Sequence, residues 1–157
     1  MEGNRKIVNA TPTQYADIGF KSKSEAMVYR TLVEAGFEPE YEQHTFVLWS
    51  GVRPTVPFYT KTKKELLSLD LRKLRDITYT PDFFFEYNGL KVVIEVKGFE
   101  NDTFPIKFKM FRQSLEELEG QWMIFEIFNK KQLLEAIKVI KSYDSSRENE
   151  ESDKHIT

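Results

Sequence analysis

At 157 residues, with 40% apolar and 31% charged side chains, the chain has the size and balance of one globular domain with its own core. The absence of cysteine excludes disulfides and thiolate metal sites, fits a reducing cytoplasmic compartment, and leaves oxygen or imidazole as ligands. No apolar run is long enough to span a bilayer, no apolar leader opens the chain, and a net charge of −2 neither demands nor excludes a nucleic-acid partner.

Residues 1–17 are polar without clear periodicity and read as an N-terminal arm. Ser22 to Ala35 is the first helix. Ser22-Lys23-Ser24-Glu25 matches a capping box, and Gly36 is a natural stop. Glu25 precedes Val28 by three positions and Leu32 by seven, so it shares their buried face. It serves either as the box's returning carboxylate or as an acid aimed into a site. Tyr41 to Trp49 reads as a strand.

Residues 50–77 form a basic insertion, broken by Gly51, Pro54 and Pro57, in which Thr62 to Leu74 is a short helix or a ribbon. It carries Lys61, Lys63, Lys64, Arg72 and Arg75, with Arg53 and Lys73 besides. Bases interleaved with aromatic residues suit a phosphate-tracking surface, and equally a solvated charged face.

Asp82 to Tyr87 and Lys91 to Lys97 are strand-like runs separated by Asn88-Gly89, the pair that a two-residue type I′ turn prefers. That turn fixes the register. Tyr87 faces Leu90, each further pair steps outward by one residue on both strands, and Asp82 falls opposite Glu95. Lys97 then shares their face, while Phe83, Phe85, Tyr87, Val92, Ile94 and Val96 fill the other. Two opposed carboxylates in an apolar sheet repel, and a divalent cation between them removes the cost.

After a loop over residues 99–104, Pro105 opens a helix to about Leu118, with Lys107, Lys109 and Arg112 in its first turns. Basic residues there oppose the helix dipole and become useful beside an anion such as a DNA phosphate. Gln121 to Phe128 reads as a central buried strand. Asn129 caps a last helix to about Tyr143, with Leu133, Ala136, Ile137 and Ile140 on its inner face. Residues 144–157 form an acidic flexible tail, where five acids against two bases give −3 and leave +1 for the rest. His44 and His155 have no partner spacing and point to no zinc site; Trp49 and Trp122 read as core.

Pro81-Asp82 followed after twelve residues by Glu95-Val96-Lys97 resembles the PD-(D/E)XK signature of metal-dependent nucleases. The order α-β-β-β-α-β matches that superfamily's core. The runs Gly19 to Ala26, Tyr79 to Phe83, Glu95 to Gly98 and Ile106 to Lys109 are similar to small phage endonucleases of the endonuclease I, Holliday junction resolvase type.

The resemblance implies an α/β restriction-endonuclease-like αβββαβ core over residues 18–143, with a mixed sheet flanked by helices. It implies Asp82, Glu95, the Val96 carbonyl and Glu25 as ligands of Mg²⁺ or Mn²⁺. Lys97 would orient the attacking water and steady the phosphate, and Lys107 or Lys109 would hold a phosphate. The expected partners are DNA, branched DNA included, and a second copy in a homodimer; no membrane is involved. If phage-encoded, the protein acts in the bacterial cytoplasm. The alternatives are a nuclease on linear or single-stranded DNA, and a DNA-binding protein that keeps the fold without cleaving.

Overall fold

The computed structural model describes residues 13–98 and 103–143. Its centre is the hairpin set by Asn88-Gly89. Strands β8 (Phe83–Tyr87) and β9 (Leu90–Val96) pair antiparallel, from Tyr87 opposite Leu90 to Phe83 opposite Ile94. Asn88 and Gly89 both take positive φ, 48° and 81°, as the type I′ turn requires.

Two further strands extend this hairpin into a four-stranded mixed sheet. β3 (Glu40–Tyr41) adds antiparallel to β8, and β10 (Gln121–Ile127) adds parallel to β9, giving the order β10-β9-β8-β3. The domain is thus mixed α/β, with three helices and a mixed sheet.

Helices cover both faces. α1 (Lys23–Glu34) and α3 (Lys130–Lys141) bury Val28, Leu32, Leu133 and Ile140 against Phe83, Phe85, Val92 and Ile94. α2 (Phe104–Glu116) buries Phe111 and Leu115 on the opposite face against Tyr79, Phe84 and Val93. Each such aromatic or aliphatic side chain contributes about 1.5–3 kcal/mol by leaving water. Caps set the helix ends. Ser22 Oγ accepts from the Glu25 amide, and Asn129 Oδ1 accepts from the Gln132 amide. The chain leaves α1 through Gly36 at φ 93°, with the Phe37 amide returning to the Leu32 carbonyl.

Three expectations change, and one open choice is decided. The supposed arm is ordered from Thr13: β1 (Thr13–Tyr15) pairs with β2 (Ile18–Phe20) across Ala16 and Asp17, both at positive φ, and Tyr15 meets Tyr29 of α1 edge-on. The Tyr41 to Trp49 strand is divided. Glu42 at φ 50° turns the chain, so that β3 joins the main sheet while β4 (Phe46–Trp49) pairs with β7 (Ile77–Tyr79) under α2. The insertion resolves as a ribbon, β5 (Tyr59–Lys61) with β6 (Leu67–Leu69). Finally, β10 is an edge strand, half-buried rather than central, because among the described residues no strand covers its outer side. The expected loop over residues 99–102, the acidic tail and the start of the arm lie outside the described residues.

Candidate active site

The two ends that the I′ turn aligns, the start of β8 and the end of β9, also meet the C-terminal end of β10 and the first turn of α1. That convergence builds a cluster of acids. Asp82 is buried, and its Oδ2 accepts from the Val96 amide at 2.7 Å. Glu95 accepts on Oε2 from the Tyr79 hydroxyl at 2.6 Å and, at 3.4 Å, from the Asp82 amide. These bonds tie each carboxylate to the opposite strand and bear out the register drawn from Asn88-Gly89.

Glu25 is buried at 4% exposure at the start of α1, facing inward as its spacing from Val28 and Leu32 requires. Its amide takes the Ser22 cap, but its carboxylate accepts from the Tyr41 hydroxyl at 2.9 Å. Of the two roles open to it, the structure shows an acid turned toward the cluster. Lys97 is buried on the α2 face, its Nζ 3.2 Å from the centroid of the Phe104 ring, in a cation–π contact at the start of α2.

Burial governs the protonation of this cluster. It pushes the Asp82 carboxyl well above the ordinary carboxylate range, with repulsion from Glu95 and Glu25 adding to it and the Val96 amide opposing. Glu95 is pushed up to about 7, mainly by burial, against the stabilising bonds from Tyr79 and Asp82. Glu25 is raised by burial too, against the Tyr41 bond. Burial and the neighbouring acids push both tyrosine hydroxyls up, so each phenol stays a donor.

Asp82 Oδ1 and Glu95 Oε1 accept no hydrogen bond among the described residues, and no buried side-chain oxygen there lacks a partner while sealed from solvent. Two solvent-reachable carboxylate oxygens from facing strands suit a hard cation. Mg²⁺ is commonly held by one or two carboxylates, with waters and substrate phosphates completing the shell. Among the described residues no three acidic or imidazole side chains converge as a metal cage, and Glu25 acts on the pair through its charge. At Val96 the group engaged with the cluster is the amide, bonded to Asp82.

The basic residues do not converge as one patch. On a helix at 100° per residue, Lys107 and Arg112 flank opposite sides of the stripe Phe104-Phe108-Phe111, and Lys109 points outward. Lys107 is half-buried while Lys109 and Arg112 are exposed, in keeping with that placement. Lys61, Lys63, Lys64 and Arg75 are exposed on the ribbon. Arg72 is committed: its Nη2 and Nε donate to Asp70 at 2.8 and 3.0 Å, holding the Asp70 carboxyl down at about 2. His44 pairs with Glu40, away from the cluster. Trp122 is half-buried against Phe84, whereas Trp49 is exposed rather than core.

Three members of the site were not legible as such. Tyr41 and Tyr79 each hold one carboxylate across sixteen residues of sequence. Glu126 lies beside Glu95 in the parallel register of β10 and adds negative potential at Tyr79. Parallel pairing leaves no turn signature, and nothing local pairs a phenol with a distant acid.

The family model described as "Protein of unknown function (DUF1064)" matches residues 5–131, and the chain belongs to that family. No curated protein and no solved structure gives a significant match. No helix among the described residues is long and apolar enough to cross a membrane.

Proposed function

We propose that this chain is a metal-dependent DNA endonuclease with a restriction-endonuclease-like core, hydrolysing phosphodiester bonds, with branched DNA such as a four-way junction as its leading substrate class. The observation that carries the reading is the pairing of a buried Asp82 with a half-buried Glu95, opposed and locked to each other's strands, with Lys97 on the same sheet face. The resemblance of Pro81-Asp82 and Glu95-Val96-Lys97 to the nuclease signature supports the same chemistry and supplies the substrate class.

Asp82 Oδ1 and Glu95 Oε1 would hold Mg²⁺ or Mn²⁺, with the Val96 carbonyl as a further ligand. The cation, when bound, lowers the pKa of water and offsets charge developing on the phosphate. Tyr79 fixes the Glu95 rotamer, and the Val96 amide fixes Asp82, so that both acids are preorganised. Lys97 orients the attacking water and binds a non-bridging phosphate oxygen. Phe104 holds its ammonium at the head of α2, where Lys107 can meet an adjacent phosphate. Glu25, held by Tyr41, adds negative potential at the pair and favours the cation.

Cleavage of a four-way junction and of a matched linear duplex, with Mg²⁺ or with EDTA, tests the proposal. Junction cutting that requires metal and is lost in Lys97→Ala is the expected result. Equal cutting of both DNAs would keep the nuclease and remove the junction preference. Salt-sensitive binding with no cutting, from folded protein at several metals, would replace the enzyme with a DNA-binding module.

A further inference from the structure

Beyond β4 and β7 the chain continues as a two-stranded ribbon that no third strand joins among the described residues. Its base is narrow: a Cβ at Gly51 would fall 1.9 Å from the Leu74 carbonyl oxygen, so only glycine lets the strands pass there. The Leu74 amide then bonds to the Val52 carbonyl, and the Asp70 amide to the Phe58 carbonyl.

Tyr59 pairs with Leu69 and Lys61 with Leu67, which puts Lys61 on one ribbon face together with three apolar side chains, Tyr59, Leu67 and Leu69. Their exposures are 59%, 77% and 48%. Three exposed apolar side chains gathered on one ribbon face are uncommon on a surface that meets only water, and phosphates do not explain them. Around it the ribbon is basic. Residues 52–75 hold seven bases and two acids, a net +5.

The complementary surface lies on the same chain. Between α2 and the open edge of β10 runs a groove of about 600 Å³, floored by Phe108, Leu115, Trp122 and Ile124 and rimmed by Glu116 and Glu126 with Arg112 between, while Lys91 lies over the Trp122 ring. α2 ends in that rim with no basic residue in its last turn. Glu116, Glu117 and Glu119 therefore repel one another at the negative end of a helix dipole that cations from elsewhere would relieve. No residue of the chain's own ribbon lines this groove.

We infer that the ribbon of one copy docks its Tyr59-Leu67-Leu69 face in the α2–β10 groove of a second copy, with the tip lysines against the Glu116–Glu119 rim, and that the exchange is reciprocal. Reciprocity closes the contact as a two-fold dimer rather than an open chain. The nuclease reading expects a dimer; this pairing is argued from the ribbon and from a groove that shares only Glu126 with the proposed site.

Analytical ultracentrifugation of the full chain without DNA tests it. The wild type should be dimeric at micromolar concentration, and Leu67→Glu with Leu69→Glu should be monomeric with an unchanged far-UV spectrum. Lys63→Glu with Lys64→Glu, and separately Glu116→Lys with Glu119→Lys, should each weaken association about tenfold or more, and the four changes together should restore it. A wild type that stays monomeric would overturn the inference, as would a dimer indifferent to these changes. Ribbon variants that lose DNA binding with no change in mass would assign the ribbon to DNA instead. Because mass is the readout, none of these outcomes bears on whether the protein cleaves.

Discussion

Two antiparallel hairpins of this chain have similar local construction and opposite surroundings. β8–β9 turns on Asn88-Gly89; β5–β6 turns at Thr62 to Leu66, with Glu65 at φ 60° in the left-handed position that glycine usually takes. Both keep an unbroken register. The first has a strand on either side and helices on both faces, and Phe83, Phe85, Val92, Val93 and Ile94 are almost wholly buried. The second keeps Leu66, Leu67 and Leu69 largely in water. Turn chemistry thus sets pairing, whereas what covers a hairpin decides what it can do. In the covered one, low dielectric raises carboxyl pKa values and locks side chains, as chemistry requires. The uncovered one offers charge and apolar area to another molecule.

The sharpest test of that contrast is deletion of a side chain on the covered hairpin. Phe85 is 2% exposed and stacks on Phe37 with ring centroids 4.8 Å apart. Phe85→Ala should cost about 3–5 kcal/mol in urea unfolding, because the lost transfer energy is joined by a cavity that helices on both sides prevent from collapsing. A cost near zero would mean that the sheet is not the rigid part of the molecule.

The carboxylates give the next largest effect. Glu95 rises from about 4.5 unfolded to about 7 folded, and Asp82 and Glu25 shift in the same direction. A raised carboxyl pKa means that the folded state disfavours the ionised form. Stability is therefore full below the unfolded pKa and is lost as pH rises through the folded one. The metal-free protein should lose on the order of 2–3 kcal/mol between pH 4.5 and about 7 through Glu95. Thermal melts across this range check it, and added Mg²⁺ should recover more stability at pH 8 than at pH 5, since binding needs ionised carboxylates. A melting temperature that climbs steadily over that window in EDTA would contradict the burial argument.

What was legible beforehand follows the same division. Asn88-Gly89 fixed the partners of every β8 residue, so Asp82 opposite Glu95 could be drawn without tertiary information. The Ser22 cap and the spacing of Glu25 from Val28 and Leu32 placed that acid inward. Where pairing depended on distant chain, reading failed. Ala16-Asp17 is not a turn pair that announces a hairpin. Glu42 at positive φ divided one expected strand into two that join different sheets. The apolar run Gln121 to Phe128 reads as central, yet whether a further strand covers it is decided elsewhere. Lys107, Lys109 and Arg112 look clustered in sequence, and helical geometry spreads them around α2.

Tyr79→Phe probes the covered hairpin more gently. It removes the hydroxyl that donates to Glu95 at 2.6 Å and leaves the ring packed against Phe111. The expected stability change is about 1–2 kcal/mol or less, because the Glu95 carboxyl keeps the Asp82 amide and can take water. Cleavage should fall about tenfold, and the metal concentration for half-maximal cutting should rise, since a positioning residue acts through the carboxylate it holds. Loss of stability with unchanged metal dependence would make Tyr79 a packing residue only.

The smallest effect belongs to the uncovered hairpin. Leu67 is 77% exposed, so Leu67→Ala should change the stability of dilute, monomeric protein by no more than about 0.5 kcal/mol. The same substitution should matter at high concentration, because a side chain that gains its contacts only on association contributes through mass action. Urea midpoints of wild type and Leu67→Ala should coincide at the lowest concentration measurable and diverge as concentration rises. A constant gap at every concentration would place Leu67 in a contact within its own chain, and the two hairpins would then differ in degree of cover rather than in kind.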